Sequence, residues 1–382
     1  MSSVLLIFFF HALVFSFLLL RKSLNSEENH SRWLALFIFL GALYICPFMF
    51  GYAGWYGRTS YRHFLFFVPF QQLLLLGPVF YFYVQSLLNS NFKLSRKDLI
   101  HFVPAALYLV YILIVFIVDK LILDEFYFYA DGRDMDLDFW YQMAGLISML
   151  FYLFLSLRYY LHYRSYSLQE VSYADEIAFS WIKHFTIAFG IILVLRVLFF
   201  VLNPEWGEFG NKYWYYLCFS ILLYYISITG YSNTIRTSAP QGAKLLPGFT
   251  APEVQLTKQQ EDETENSLEL NGWKDKILEL FDKQEIHINP NLTLTDLASL
   301  LDTNRNIVSR AINQEFQVNF NDFVNEKRAE AVIAKLNKGE HSTSTLLGIA
   351  YDCGFNSKTT FNRAFKKHVG TTPKQYITNN QL

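Results

Sequence analysis

Long apolar stretches separated by short polar connections fill the first 235 residues of the 382-residue chain. A bilayer core of about 30 Å is crossed by a helix of about 20 mainly apolar residues. Stretches of roughly this length lie at residues 4–20, 33–50, 64–88, 100–118, 139–161, 181–202 and 213–235. The pattern therefore predicts a bundle of about seven transmembrane helices over residues 1–235.

Basic residues in the connections predict the orientation of this bundle. Arg21 and Lys22 follow the first apolar stretch, whereas a signal peptide carries its basic residues before the apolar run, so this stretch is predicted to be retained. Further basic residues, such as Lys93, Arg96 and Arg164, lie in the third and fifth connections. Because Lys and Arg are enriched on the cytoplasmic side, we expect the N-terminus outside the cell, the C-terminus in the cytoplasm, and a multi-pass protein of the inner (cytoplasmic) membrane.

Residues 236–271 lose all hydrophobic periodicity. Pro240, Pro247 and Pro252 interrupt any continuing helix. Six acidic residues and one basic residue lie between positions 247 and 271. We predict a flexible, solvated, acidic linker that tethers the C-terminal residues to the membrane part.

After Trp273 a 3.6-residue apolar period returns with polar interruptions, which is typical of amphipathic helices in water. A short helix capped by Thr295, a tight turn at Asp302 and Thr303, and a second helix capped by Asn304 form a helix-turn-helix outline. The outline repeats with caps at Ser344 and Ser357 and with Gly354 in the turn, and residues 320–337 are predicted to form one helix between the two units. Residues 272–382 therefore form the predicted soluble domain, and the predicted fold class is all-α throughout.

The composition is consistent with one part of the chain in a membrane and another in water, and it excludes several classes of protein. Hydrophobic residues make up 52% of the chain and charged residues 17%, and the excess of hydrophobic residues lies in the first 235 positions. The three cysteines form no Cys-x-x-Cys pair and no cluster with histidine, so neither a disulfide framework nor a metal site is expected. The chain offers no nucleophile with a base and no nucleotide-binding loop either, so we expect neither an enzyme nor a cofactor.

One charged residue in the predicted spans is a candidate for binding a ligand or signal. Arg196 lies deep in the sixth apolar stretch, where a charge is costly. A role in the contacts between helices is the alternative to a ligand pocket. We retain Arg196 as a candidate signal site of the membrane bundle.

The second helix-turn-helix unit carries apolar, glycine and basic residues at a characteristic spacing: Leu346, Ile349, Ala350, Gly354, Phe355, Phe361, Arg363, Phe365, Lys366, Gly370, Thr372, Pro373 and Tyr376. At these positions the unit resembles the AraC/XylS family of bacterial transcription regulators. The first unit matches at Leu297, Ala298, Ser309, Ile312, Asn313, Phe320 and Arg328, but Gln317 replaces the glycine that usually comes after its recognition helix. The resemblance covers about 105 residues and implies binding of double-stranded promoter DNA.

Most matching positions are apolar and are expected to pack the helices together rather than to contact DNA. Exposed positions of the two recognition helices are the candidate DNA contacts. The resemblance carries this role to Asn306, Ser309 and Arg310 in the first helix and to Lys358, Thr359 and Arg363 in the second. Arg can pair with guanine and Asn with adenine, whereas Lys, Ser and Thr can contact bases or phosphates. Each of these residues could instead be a solvated or capping residue.

The sequence thus predicts a membrane-tethered, sequence-specific transcription regulator with its DNA-binding domain in the cytoplasm. Its partners would be promoter DNA and the lipid bilayer, with a homodimer as one way to reach a useful affinity, because the first unit is nearly neutral. One alternative is a transporter or membrane enzyme with a regulatory helix-turn-helix domain. A second is a domain that has lost DNA binding and binds proteins instead.

Overall fold

The computed structural model describes residues 1–26, 29–89, 91–129, 139–174, 179–202, 211–237 and 272–380. Most of the predicted linker (residues 236–271) and much of the acidic fourth connection lie outside these ranges. The described part is helical and contains no β-strand, only an isolated bridge between Val171 and Thr293, so the predicted all-α class is confirmed. The chain divides into two compact units, one of residues 1–160 with 180–245 and one of residues 161–179 with 246–382.

Eight helices cover the N-terminal part of the described chain. They are α1 (Ser2–Ser26), α2 (Asn29–Tyr52), α3 (Thr59–Leu65), α4 (Leu73–Leu88), α5 (Val103–Phe116), α6 (Phe139–Glu170), α7 (Phe179–Val197) and α8 (Lys212–Thr237). Their interior is aromatic, and the rings of Phe80 and Phe189 stack with centroids 4.1 Å apart. By contrast, Leu107, Val110 and Ile114 on α5 stay more than half exposed. Apolar side chains covering the outside of a long helix fit lipid better than water.

Five helices in the described ranges are long and apolar enough to cross a membrane. They are Ser2–Asn25, Asn29–Tyr52, Lys97–Ile122, Phe139–Glu170 and Trp181–Leu202. These helices suggest that the protein associates with a membrane, but they do not confirm the predicted count of seven. One helix, α8, covers the seventh predicted stretch without being among the five.

The third predicted stretch, residues 64–88, is not one helix. The chain leaves helical geometry after α3, and α4 begins only at Leu73 and is 16 residues long. Pro69 lies in the break, where its missing N–H and its restriction on the preceding residue oppose a continuous helix. The prediction of a single 25-residue span was therefore wrong at this point.

Seven helices form the C-terminal part: α9 (Trp273–Lys283), α10 (Leu294–Leu300), α11 (Arg305–Glu315), α12 (Phe320–Asn337), α13 (Leu346–Asp352), α14 (Lys358–Val369) and α15 (Pro373–Asn379). Two hydrophobic cores hold them. The first joins α9, α10 and α11 to the start of α12, and the second joins the end of α12 to α13, α14 and α15. Helix α12 has the bounds predicted from the sequence and is shared by both cores, so it connects the two helix-turn-helix units.

Residues 161–174, which we call the α6 extension, belong to the same compact unit as the seven C-terminal helices. They comprise the last turns of α6 and the four residues after it. The backbone N–H of Ser172 donates to the carbonyl of Leu292 at 3.1 Å, beside the bridge between Val171 and Thr293. Val171 and Ser172 are fully buried there. The extension is thus a packed part of the C-terminal unit although it lies more than 100 residues earlier in the chain.

Candidate nucleic-acid interface

The first helix-turn-helix unit consists of α10 and α11. The Asn304 side chain caps α11 as predicted, accepting from the Ile307 N–H at 3.0 Å. The cap of α10, however, is Thr293 rather than the predicted Thr295. The Thr293 hydroxyl accepts from the Asp296 N–H, and the Asp296 carboxylate accepts from the Thr293 N–H, which satisfies two helix-terminal donors at once.

The second unit consists of α13 and α14. Ser357 caps α14 as predicted, accepting from the Thr360 N–H at 3.2 Å. Thr345 caps α13 by accepting from the Gly348 N–H at 3.0 Å, so the predicted cap at Ser344 was wrong by one residue.

The two recognition helices present matching exposed faces. Helix α11 packs against the first core through Val308, Ala311 and Ile312. Helix α14 packs against the second core through Phe361, Ala364 and Phe365. Of the candidate contacts, Asn306, Lys358, Thr359 and Arg363 are exposed, whereas Ser309 and Arg310 are partly exposed. Each recognition helix therefore brings its predicted residues together on the side away from its core.

The register of these faces is the same in both helices. Arg310 is the sixth residue of α11 and Arg363 the sixth residue of α14, counted from the first helical residue. The same count pairs Arg305 with Lys358 at the first position and Asn313 with Lys366 at the ninth. Arg305 and Lys366 were not among the candidate DNA contacts chosen from the sequence, although their spacing from the caps Asn304 and Ser357 gives each of them an equivalent position in the other helix.

Residues with a left-handed backbone conformation form the turns of both helix-turn-helix units. Asp302 has φ 51° in the first unit, and Gly354 has φ 89° in the second. Gln317, at the position where the family usually has glycine, also has a positive φ of 57°, and its side chain donates to the Gln314 carbonyl at 2.7 Å. The turn after the first recognition helix therefore keeps the left-handed geometry that glycine would favour, and it does so with glutamine.

A buried arginine on the shared helix fixes the connection between α9 and α10. Arg328 is 1% exposed and donates from Nε to the His287 carbonyl at 2.9 Å and from Nη2 to the Asn289 carbonyl at 2.7 Å. From the second unit, the Asn356 amide donates to the Pro290 carbonyl at 2.7 Å. Both helix-turn-helix units are therefore anchored to the same stretch of backbone.

Positive charge is concentrated on the second unit, and part of it is neutralised. Lys367 pairs with Asp322 on α12 at 2.8 Å, and His368 lies 3.2 Å from Glu326. Arg363 lines a cleft of about 250 Å³ beside these pairs. Lys358 and Lys366 form no ion pair within the described part of the chain, so they are available for phosphate.

Two other chemically interesting groups near this interface have structural explanations. Glu326, Glu330 and His368 place ligand atoms within 4.8 Å of one another, but Glu330 pairs with Lys327 at 2.9 Å and Glu326 with His368. Burial raises the pKa of the Cys353 thiol to about 11, so it stays protonated and packs as an apolar residue in the second core.

Arg196, the candidate signal residue of the membrane bundle, is only 2% exposed. It donates to the Tyr44 hydroxyl at 2.7 Å and to the Gln142 side chain at 2.6 Å. No carboxylate in the described ranges pairs with it. The adjoining cavity is only about 10 Å³, enough for roughly one water molecule.

Two helix-turn-helix units joined by one shared helix define the C-terminal domain as a double helix-turn-helix DNA-binding domain. Residues 297–379 match the sequence model of the family described as "Helix-turn-helix domain", and the domain is of the AraC type. Proteins of Staphylococcus aureus strains COL and MSSA476, both described as HTH-type transcriptional regulators, are each 33% identical over 113 residues. These matches cover 28% of this chain and only 15% of each relative. No solved structure matches significantly.

Proposed function

We propose that the protein is a membrane-tethered transcription regulator whose C-terminal domain binds promoter DNA in the cytoplasm. The observation that carries this proposal is the common register of the two recognition helices, each with an arginine at its sixth position on an exposed or partly exposed face. The apolar helices and the names of the relatives support membrane tethering and transcription regulation, respectively. The proposed location is the inner membrane, and the bilayer is the second partner.

The roles of the candidate contacts follow from their chemistry. Arg310 and Arg363 pair with guanine, and Asn306 pairs with adenine through its amide. Lys358 binds phosphate at the start of α14, and Ser309 and Thr359 complete the contacts to bases or phosphates. Because the first unit contributes few cations, a homodimer on a repeated site would supply the remaining affinity.

Arg196 is our candidate for the residue that responds to a signal in the bundle. A buried cation whose partners are neutral hydroxyl and amide groups is costly to keep in a membrane protein. Since the adjoining cavity admits only about one water molecule, a ligand that reaches Arg196 must first separate the surrounding helices. Such a separation would couple ligand binding to a change in the bundle.

The test uses the full-length chain in lipid nanodiscs and a selection on random duplexes, followed by affinity measurements on the enriched site. Arg363→Ala should weaken binding by about 1–3 kcal/mol and relax the preference at one base pair. Lys338→Ala is the matched control, because it removes an exposed cation that lies on neither recognition helix. Absence of any enriched motif would refute sequence-specific binding, and an equal loss on every duplex would make Arg363 a phosphate contact.

A further inference from the structure

The surface that holds the α6 extension is built from buried polar side chains. Asn321, Asn325 and Arg328 occupy one stripe of α12 between the two hydrophobic cores, and each is at most 3% exposed. Buried polar groups on a helix are costly unless every donor has a partner. The connection between α9 and α10 supplies two partners of Arg328, and the extension supplies partners to all three side chains.

The contacts are directed at the backbone of the extension. Asn321 donates to the Val171 carbonyl at 3.2 Å, and Asn325 donates to the Ser172 carbonyl at 3.2 Å. Arg328 donates from Nη2 to the Ser172 hydroxyl at 3.0 Å. With the hydrogen bond from Ser172 to Leu292, both backbone polar groups of Ser172 are satisfied. The stripe therefore binds the backbone of a segment that lies about 150 residues earlier in the chain.

The extension also contacts the first recognition helix. Arg305, the first residue of α11, lies 3.4 Å from the Glu170 carboxylate and donates to the Tyr166 hydroxyl at 3.3 Å. The N-terminal residues of a recognition helix are the ones that approach base edges in the major groove. Lys358, which has the same position in α14, has no hydrogen-bond or ion-pair partner in the described chain. The first residue of one recognition helix is therefore held by the extension, whereas the first residue of the other has no partner in the described chain.

We propose that the α6 extension is an intrachain ligand of the C-terminal domain that competes with DNA for the N-terminus of the first recognition helix. The inference rests on the proposed function. Glu170 occupies Arg305 and places a negative charge where a phosphate would approach. Because the extension continues α6, which begins at Phe139 and is a candidate membrane span, a displacement of that span would withdraw Glu170 and free Arg305. DNA binding and docking of the extension would then oppose each other by the same free energy.

The first test measures DNA affinity of the full-length chain in nanodiscs on its selected duplex. Glu170→Gln and Tyr166→Phe each remove one contact to Arg305 without changing side-chain size greatly, and each should tighten binding roughly two- to fivefold. Glu279→Gln is the matched control, because Glu279 also pairs with a cation, Lys283 at 2.7 Å, but contacts neither recognition helix in the described structure. The control should bind as the wild type does, which separates loss of the contact from a general loss of negative charge.

The second test measures hydrogen exchange of the Ser172 amide, which donates to Leu292. In the DNA-free chain this amide should be protected, and saturating duplex should accelerate its exchange. Unchanged affinity in both variants, or protection that persists or increases with DNA, would overturn the competition while leaving DNA binding intact. If neither the wild type nor any variant binds a duplex, the proposed function fails, and this inference fails with it.

Discussion

Gly354→Ala offers the sharpest test of how the second unit is positioned. Gly354 has φ 89°, and a Cβ there would lie 2.3 Å from the His287 carbonyl oxygen and 2.9 Å from that of Ile288. The left-handed conformation costs an alanine about 1–2 kcal/mol. Forcing a methyl group against backbone atoms that cannot rotate away adds about 1–3 kcal/mol. The expected loss in the free energy of unfolding is therefore about 2–5 kcal/mol.

Gly370→Ala separates the two costs. Gly370 has a similar φ of 83°, but a Cβ there would meet no heavy atom within 4 Å. This variant should lose only the conformational part, about 1–2 kcal/mol. The difference between the two variants therefore measures the contact of the Gly354 turn with the His287 backbone.

Hydrogen exchange of the full-length chain in nanodiscs provides the measurement. The Phe361 amide, which donates to the Ser357 carbonyl at 3.0 Å, reports opening of α14. Each loss of about 1.4 kcal/mol accelerates exchange about tenfold, so the additional loss of about 1–3 kcal/mol should make Gly354→Ala exchange about five- to 150-fold faster than Gly370→Ala. Equal rates in the two variants would show that the turn is free to move away from His287, and the argument for a fixed second unit would be refuted.

Two further substitutions test the connection between α9 and α10. Arg328→Lys retains the charge, but an ammonium group cannot donate to both the His287 and the Asn289 carbonyls as the planar guanidinium does. This variant should lower the free energy of unfolding by about 2–3 kcal/mol in denaturant titrations, and a loss below about 0.5 kcal/mol would contradict the role of the guanidinium. Burial holds the pKa of His287 below its ordinary value of 6.5, so the unfolded chain takes up a proton at a higher pH than the folded one. Stability should therefore be fully present above about pH 7 and fall as pH drops through 6.5 toward the folded-state pKa, and His287→Gln should flatten this part of a thermal-unfolding profile.

Local capping signals predicted where the recognition helices begin but not where their partners begin. Asn304 and Ser357 lie three and four residues before the first apolar residue of their helices, Ile307 and Phe361, and both are caps. The sequence around α10 offers Thr293 and Thr295, and the one around α13 offers Ser344 and Thr345. Near α10 the carboxylate of Asp296, three residues after Thr293, decides the choice by completing a reciprocal pair of hydrogen bonds.

The membrane half was predicted by length and apolar content, and these measures do not detect a local break. Residues 64–88 are mainly apolar, yet the chain leaves helical geometry before Pro69 and starts a new helix at Leu73. The α6 extension was missed for a different reason. Its partners, Asn321 and Arg328, lie about 150 residues later in the chain, and no periodicity connects residues at that distance.

The shared helix α12 joins the two recognition helices into one domain. Its first part is buried in one core and its last part in the other, so neither unit can move without disturbing a core that contains α12. Because the first helix-turn-helix unit brings few cations, we expect the DNA affinity of the proposed regulator to depend on both recognition helices binding at once. By linkage, docking of the α6 extension weakens DNA binding by no more than the free energy of docking itself. That free energy includes the buried contacts from α12 to Val171 and Ser172 as well as the Glu170–Arg305 pair. Withdrawing the entire α6 extension should therefore have a larger effect than Glu170→Gln, which removes only one of these contacts.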